Sequence, residues 1–153
     1  MVSAILRAGD RILLIKRSMA KKIAPGKWSP VGGHMEEGEI SDPERACLRE
    51  ILEETGIEAG QIRGFRLRWI IPLQKEGELR LHFIFAGELD REISLLACEE
   101  GELFYLPAGE VLEKDMAFSM REAMRRYLGN PEEEGIFLGA VRKGESGIVW
   151  TEL

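Results

Sequence analysis

The sequence predicts a layered α/β domain, and three observations predict it. Short β-rich runs bounded by polar turns recur along the chain, two amphipathic stretches of helical period interrupt them, and 153 residues with 44% hydrophobic and 31% charged side chains suit one core. The whole chain, 1–153, therefore reads as a single domain. A net charge of −6 and a pI near 5.1 argue against a duplex-binding protein, which would carry a basic stripe. Cys47 and Cys98 are too few and too far apart for a disulfide framework or a zinc site, and their apolar neighbours suit buried thiols in a reducing cytoplasm. The start, "MVSAILRAGDRILLIKR", has apolar runs too short and too broken by charge for a signal peptide, and no segment has the length to cross a membrane. A small cytoplasmic domain is the expectation.

Each element has its own signal. Residues 2–6 and 11–16 are β-rich and flank "RAGD", which reads as a hairpin turn. "SMAKKIAPGKWSPVGGH" is loop material, with Pro25, Gly26, Pro30 and the Gly32–Gly33 pair. A helix should start at Ser41 or Asp42, with Pro43 in its first turn and Glu44 three residues after Ser41, and should end on a glycine cap at Gly56. Strand-like runs at 65–73 and 79–87 flank the polar "QKEGE", and 103–106 is a short strand before Pro107. "GEVLEK" suggests a helical turn, and 117–128 an amphipathic helix closed by Gly129. After the linker "NPEEEG", residues 136–153 resemble a hairpin around "KGESG", suited either to completing the sheet or to joining two copies as a homodimer.

The segment from Gly32 to Ile57 holds eight carboxylates in twenty-six residues. On a helical wheel of about 100° per residue, Glu53 and Glu54 lie near −60° and +40° from Glu50, so the three share one face. Leu48, Ile51 and Leu52 fall on a neighbouring arc expected to pack on the core. The pairs Glu50/Glu53 and Glu50/Glu54 cost roughly 0.2–0.5 kcal/mol each in an isolated helix. Hard oxygen donors at this spacing suit Mg²⁺ or Mn²⁺; the plainer reading is a solvated acidic face with Arg49 paired to Glu53. The neighbouring loop favours the metal. Gly32–Gly33 permits close backbone approach, and Glu36, Glu37 and Glu39 follow directly. Cations held there would bridge phosphate oxygens and acidify an attacking water.

These residues resemble the signature of the Nudix hydrolases: Gly, five residues, Glu, seven residues, then Arg-Glu, an aliphatic, any residue, Glu-Glu, any residue, Gly and an aliphatic. Gly33 and Glu39 match its first part, and Arg49, Glu50, Ile51, Glu53, Glu54, Gly56 and Ile57 match its second. One departure stands out. Nine residues, 40–48, separate Glu39 from Arg49, which implies a two-residue bulge at "ISD" and puts Glu39 out of the family register. The resemblance implies a mixed β-sheet sandwiched between helices (α/β/α), with the signature as a loop–helix–loop. It implies Mg²⁺- or Mn²⁺-dependent hydrolysis of a nucleoside diphosphate linked to a moiety X. Glu50, Glu53 and Glu54 would be metal ligands, with the Gly32 carbonyl and Glu39 as further ones, and Arg49 would orient the loop carboxylates. Glu53 and Glu54 would also serve catalysis, and Glu100 in "CEEGELFYLP" would be the further carboxylate acting as base or ligand.

The stretch before the signature is similar to MutT-type enzymes acting on nucleoside triphosphates, including oxidised purine nucleotides. Arg17 and Lys27 are candidates for phosphate, Trp28 for stacking on a base, Gly33 for close approach, and His34 for phosphate or metal. Local packing for Trp28 and solvation for Lys27 and His34 compete evenly with those roles. His82, in an apolar strand, reads as a structural histidine; Trp69 and Trp150 read as packing residues, and Met116, Met120 and Met124 as a core stripe. A rival substrate is ADP-ribose, for which Pro72, fifteen residues after Ile57, is a weak pointer. A reading of another class is a non-catalytic nucleotide sensor. In each case the partner is a small nucleotide, not a nucleic-acid polymer or a membrane.

Overall fold

A computed structural model of the chain describes residues 1–21, 24–75, 77–140 and 147–153. Eight strands form one mixed sheet: β1 (Val2–Ala8), β2 (Arg11–Arg17), β3 (Trp28–Ser29), β4 (Ile62–Lys75), β5 (Glu78–Leu89), β6 (Gly101–Pro107), β7 (Phe137–Ala140) and β8 (Val149–Glu152). Their order is β3-β2-β1-β5-β4-β7-β8, with β6 also paired to β2. β1 runs parallel to β5, and β7 parallel to β4; the remaining ladders are antiparallel. Three helices cover the sheet: α1 (Pro43–Thr55), the single turn α2 (Ala108–Val111) and α3 (Phe118–Gly129). Among the described residues, no helix is long and apolar enough to cross a membrane.

Two cores lie on opposite faces of the sheet. One joins α1 to Val2, Ala4, Leu6, Leu13 and Phe85; the other joins α3 to Ile5, Ile12, Trp69, Ile71 and Ile84. The alternation along β1 explains how one strand feeds both cores. Met116, Met120 and Met124 pack in the α3-side core, as their spacing predicts.

One departure from regular pairing positions the functional loop. β2 pairs with β1 only at Leu6↔Leu13, Arg7↔Ile12 and Ala8↔Arg11, then runs along β6 from Ile12↔Leu106 to Arg17↔Gly101. The loop at Val31–Gly33 takes the vacated place beside β1, accepting hydrogen bonds from the Ala4 amide to the Val31 carbonyl (2.9 Å) and from the Val2 amide to the Gly33 carbonyl (3.0 Å). The glycine pair is therefore held as an extra rung on a buried strand.

Several boundaries differ from the sequence expectation. Asp42, not Ser41, caps α1, accepting from the Arg45 amide at 3.1 Å; Ser41 lies in the preceding turn. Gly56 does close α1, at φ +77°, with its amide bonded to the Leu52 carbonyl. Leu52 was expected in the core but is 48% exposed, because the buried stripe runs through Ala46, Cys47, Ile51, Glu54 and Thr55. Gly129 is the last residue of α3, and Asn130 is its cap. β3 and a 3₁₀ turn at Ala59–Gln61 are too short for any periodicity to announce them. The C-terminal hairpin completes this chain's own sheet through β7 and β8; its "KGESG" turn lies, except for Gly147, outside the described residues, as does Glu76 of "QKEGE".

Candidate active site

The site is built from the inward side of α1 and the loop beside β1. Glu54 sits in the buried stripe at 7% exposure, and its carboxylate accepts the Gly32 amide at 2.8 Å. Burial pushes its carboxyl up to about 7, against the lowering effect of that hydrogen bond, while the negative charges of Glu50 and Glu100 add to the rise. Glu50, one turn earlier, is also raised, again chiefly by burial. Both glycines are required by close approach. Gly32 has φ +142°, and a Cβ there would lie 2.2 Å from the Val2 carbonyl oxygen. A Cβ on Gly33 would fall 2.5 Å from a Glu50 carboxylate oxygen, so the missing side chain leaves the space in front of Glu50 open.

Arg49 organises the acids around it. Its Nε and Nη2 take the two oxygens of Glu39 at 2.9 Å each, Nη1 donates to Glu50 (3.1 Å) and Glu53 (3.0 Å), and Nη2 also reaches the His34 carbonyl at 3.2 Å. The Arg49 hydrogen bond holds the Glu39 carboxyl down at about 2. The two inserted residues are absorbed in a turn closed by the Asp42 amide on the Glu39 carbonyl, which leaves Ile40 79% exposed and returns Glu39 to Arg49. Glu53 lies outermost, its side chain 57% exposed.

On the other side stands Glu100, bonded to Lys21 Nζ at 2.5 Å and Arg17 Nη2 at 3.1 Å, and held below the usual carboxylate range chiefly by Lys21. Its carbonyl accepts the Ser18 amide, and the following Gly101 passes so close to β2 that a Cβ would lie 2.1 Å from the Lys16 carbonyl oxygen. A depression of ≈ 370 Å³ opens here, lined among others by Lys16, Arg17, Ser18 and Glu99. Glu100 and Arg17 both shift Glu54, so the two walls are electrostatically coupled.

The remaining candidates are placed differently. Lys27 is paired to Asp115 at 2.9 and 3.1 Å. Trp28 packs against the α3-side core, tilted on Phe104 at 5.2 Å, with the Lys16 and Lys114 ammonium groups 5.9 and 5.6 Å from its ring centre. The His34 side chain is exposed. Sequence reasoning missed Lys21, because a lysine in a loop has no pattern to show what it faces.

Among the described residues, no three His, Cys, Asp or Glu side chains form a ready-made metal cage. Glu53 and one oxygen of Glu50 are instead engaged by Arg49. The donor chemistry nevertheless fits a hard divalent cation: partly buried Glu50 and buried Glu54 are carboxylates with raised pKa values beside a glycine-lined opening.

Comparison with known proteins agrees with this architecture. The family model described as the NUDIX domain matches residues 1–127. A MutT mutator protein from Bacillus halodurans is 26% identical, covers 90% of this chain with 85% of its own, and superposes with a TM-score of 0.67. A NUDIX hydrolase from Nitrosomonas europaea shares the fold with a TM-score of 0.74 at 22% identity, over 93% of this chain and 77% of its own. The m7GpppN-mRNA hydrolase NUDT17 of Xenopus laevis is 42% identical over 52 residues, which are 34% of this chain and 17% of that protein, so the match spans under a fifth of that relative's length. With a family match over most of the chain and a MutT-like fold carrying an acidic loop–helix–loop, the chain belongs to the Nudix family.

Proposed function

We propose that the chain is a hydrolase that cleaves a pyrophosphate bond in a nucleoside diphosphate linked to X. The substrate class is a nucleoside triphosphate, with an ordinary or oxidised base, and the products are a nucleoside monophosphate and pyrophosphate. Residues 1–153 act as one catalytic domain. The observation that carries this reading is the pair of carboxylates, partly buried Glu50 and buried Glu54, facing the glycine loop with their charge disfavoured by burial. Arg49 and the Gly32 amide offset only part of the cost of holding these carboxylates out of water, and a cation would offset more of it.

Glu50, Glu53 and Glu54, with the Gly32 carbonyl, would hold Mg²⁺ or Mn²⁺. When bound, such an ion neutralises phosphate charge and lowers the pKa of water. Arg49 positions Glu39 and restrains Glu50 and Glu53, so the donors are presented rather than scattered. Glu54 keeps one oxygen on the Gly32 amide and has the other to accept a water proton. Arg17 and Lys21 bring positive charge to the facing wall, where a polyphosphate would compete with Glu100 for them. Released in that way, Glu100 is a second carboxylate able to orient water.

The test is product release from a panel of nucleoside triphosphates, 8-oxo nucleoside triphosphates, ADP-ribose, a dinucleoside polyphosphate and a nucleotide sugar. Each is assayed with Mg²⁺ or Mn²⁺, for the wild type and Glu54→Gln. Triphosphate turnover lost in the variant supports the proposal. Preference for ADP-ribose overturns the substrate class; nucleotide binding without turnover makes the domain a sensor. Pro72, the residue that pointed to ADP-ribose, is a ladder position in β4 opposite Leu81, so it adds no weight to that alternative.

A further inference from the structure

A second charged cavity lies on the opposite face of the sheet from α1. Its volume is ≈ 230 Å³, and its charged and polar walls are Arg63, Arg66, Arg68, Glu88, Tyr127 and Glu132. Tyr127 and Ala86, also in its lining, belong to the α3-side core, so the whole sheet separates this cavity from Glu50 and Glu54. It is opened by a β-bulge. The β4–β5 ladder passes from Arg63↔Glu88 to Arg66↔Ala86, with Gly64 at φ +58° absorbing the extra residue.

Arg68 is the unusual group. It is 2% exposed, and Nη1 donates to the Pro131 carbonyl at 3.1 Å, yet among the described residues Nε and Nη2 have no partner. A buried guanidinium normally satisfies its donors, and two open ones are costly. Elsewhere this chain uses the same edge to grip an oxyanion. Arg49 holds Glu39, and Arg126 holds Glu133, each through Nε and Nη2 together. The unpaired edge of Arg68, its two nitrogens themselves buried beside the cavity that Arg68 lines, has the same two-pronged shape for two oxygens of one group.

No carboxylate nearby fills it. Glu133 is committed to Arg126 at 2.7 Å through both oxygens, and Glu88 lies 3.7 Å from Arg63, which also pairs with Asp90. Glu132 is exposed. Arg66 reaches only the Glu133 carbonyl, at 3.5 Å. With Arg63 taken up by Asp90 and Glu88, Arg66 and Arg68 face the cavity against Glu132, and burial works against the charge of Arg68. A space this size is below that of ordinary nucleotide-sized pockets.

We propose that this cavity binds a small oxyanion of the phosphate class, gripped by the Nε/Nη2 edge of Arg68, with Arg66 supplying the second positive charge. A phosphate dianion matches both guanidinium groups, and a monocarboxylate matches one. The site is independent of the acidic helix and does not rest on the proposed reaction.

The experiment uses the full chain with EDTA and inorganic phosphate as the probe, read by calorimetry and thermal shift, with chloride at matched ionic strength as control. Saturable phosphate binding is expected in the wild type and in Glu54→Gln. Arg66→Gln, at an exposed position, and Arg68→Lys, which keeps the charge without the fork, should each weaken it roughly tenfold or more. Arg66→Gln should leave hydrolysis unchanged. No saturable binding, which would leave the Arg68 edge holding water alone, overturns the proposal. So does binding unaffected by both arginine variants, or binding lost in Glu54→Gln. Hydrolysis failing while phosphate still binds would sink the proposed function and leave this site standing.

Discussion

The two faces of the sheet treat buried charge in opposite ways. Under α1, Glu39, Glu50 and Glu53 share one guanidinium, Arg49, while the carboxylate of Glu54 accepts the Gly32 amide. Under α3, guanidinium groups outnumber carboxylates, and the most buried of them, Arg68, keeps two donors open. Burial raises the acids on the first face and lowers the bases, Arg68 and His82, on the second. A sheet with apolar cores on both faces has no structural need for either group. The lesson is that the two proposals rest on opposite signs of buried charge: a cation would suit the α1 face, an anion the α3 face.

The strongest way to break this contrast is to remove the most buried of these acids. Glu54→Gln keeps an acceptor for the Gly32 amide but removes the carboxylate. Hydrolysis should fall by about 10²–10⁴-fold, the range for loss of a positioned acid–base group. The metal-free variant should be at least as stable as the wild type, because a buried carboxylate with a raised pKa has been removed. Steady-state rates and urea melts check the two halves. A variant that loses both activity and stability would show Glu54 to be a structural residue.

The next effect tests the loop instead of the acids. Gly32→Ala puts a Cβ 2.2 Å from the Val2 carbonyl oxygen at φ +142°, so strand β1 or the loop must move. The expected loss of stability is about 1–3 kcal/mol or more, with activity falling further than stability because the Glu54 hydrogen bond moves with the loop. A variant of unchanged melting and unchanged rate would refute the close approach.

How much of this was legible beforehand differs between the two faces. The α1 face was legible because its residues are contiguous: Asp42, Pro43 and Gly56 mark the helix ends, and the signature spacing marks the acids. The wheel put Leu52 inward and Glu54 beside the core, whereas the helix is rolled so that Glu54 is buried and Leu52 is 48% exposed. Periodicity gives the width of an apolar arc but not which edge of it the loop will cover. Pairing of Glu39 with Arg49 across two inserted residues depends on a turn with no strong signal of its own. The α3-face cavity was not legible at all. Arg63 lies before the strand-like run at 65–73, and the two register shifts in β4, between Arg63 and Arg66 and between Leu67 and Trp69, place it with Arg66 and Arg68 around one space beside α3.

A smaller effect separates position from charge on the α1 face. Arg49→Lys keeps the charge but cannot grip both oxygens of Glu39 while also reaching Glu50, Glu53 and the His34 carbonyl. Hydrolysis should fall about 10–100-fold, as for other groups that orient ligands, and more metal should be needed for half-maximal rate. Full activity in this variant would mean that charge alone suffices and the fork is incidental.

The smallest effect concerns the α3 face and is read by pH. Along β1 and β5, Ser3 and His82 alternate with α1-side core residues, so their hydrogen bond of 2.8 Å lies on the α3 side. Burial, then the charges of the N-terminal ammonium and His34, push His82 down to about 4 from an ordinary 6.5. As pH falls below 6.5, the unfolded chain takes up a proton that the folded chain refuses until about 4. The contribution of His82 is therefore fully present above pH 6.5 and is lost on acidification, at about 1 kcal/mol per pH unit inside that window. Glu54 titrates with the opposite sign, because its folded pKa is raised, and the two slopes largely cancel between about 4.5 and 6.5 in metal-free protein. The quantity to measure is the pH dependence of urea stability in the wild type minus that in His82→Gln, which removes the Glu54 contribution. The difference should slope upward with pH between 4 and 6.5 and flatten above it. A flat difference throughout would mean that His82 titrates alike folded and unfolded, and the α3 face would no longer mirror the α1 face in how it treats a buried ionisable group.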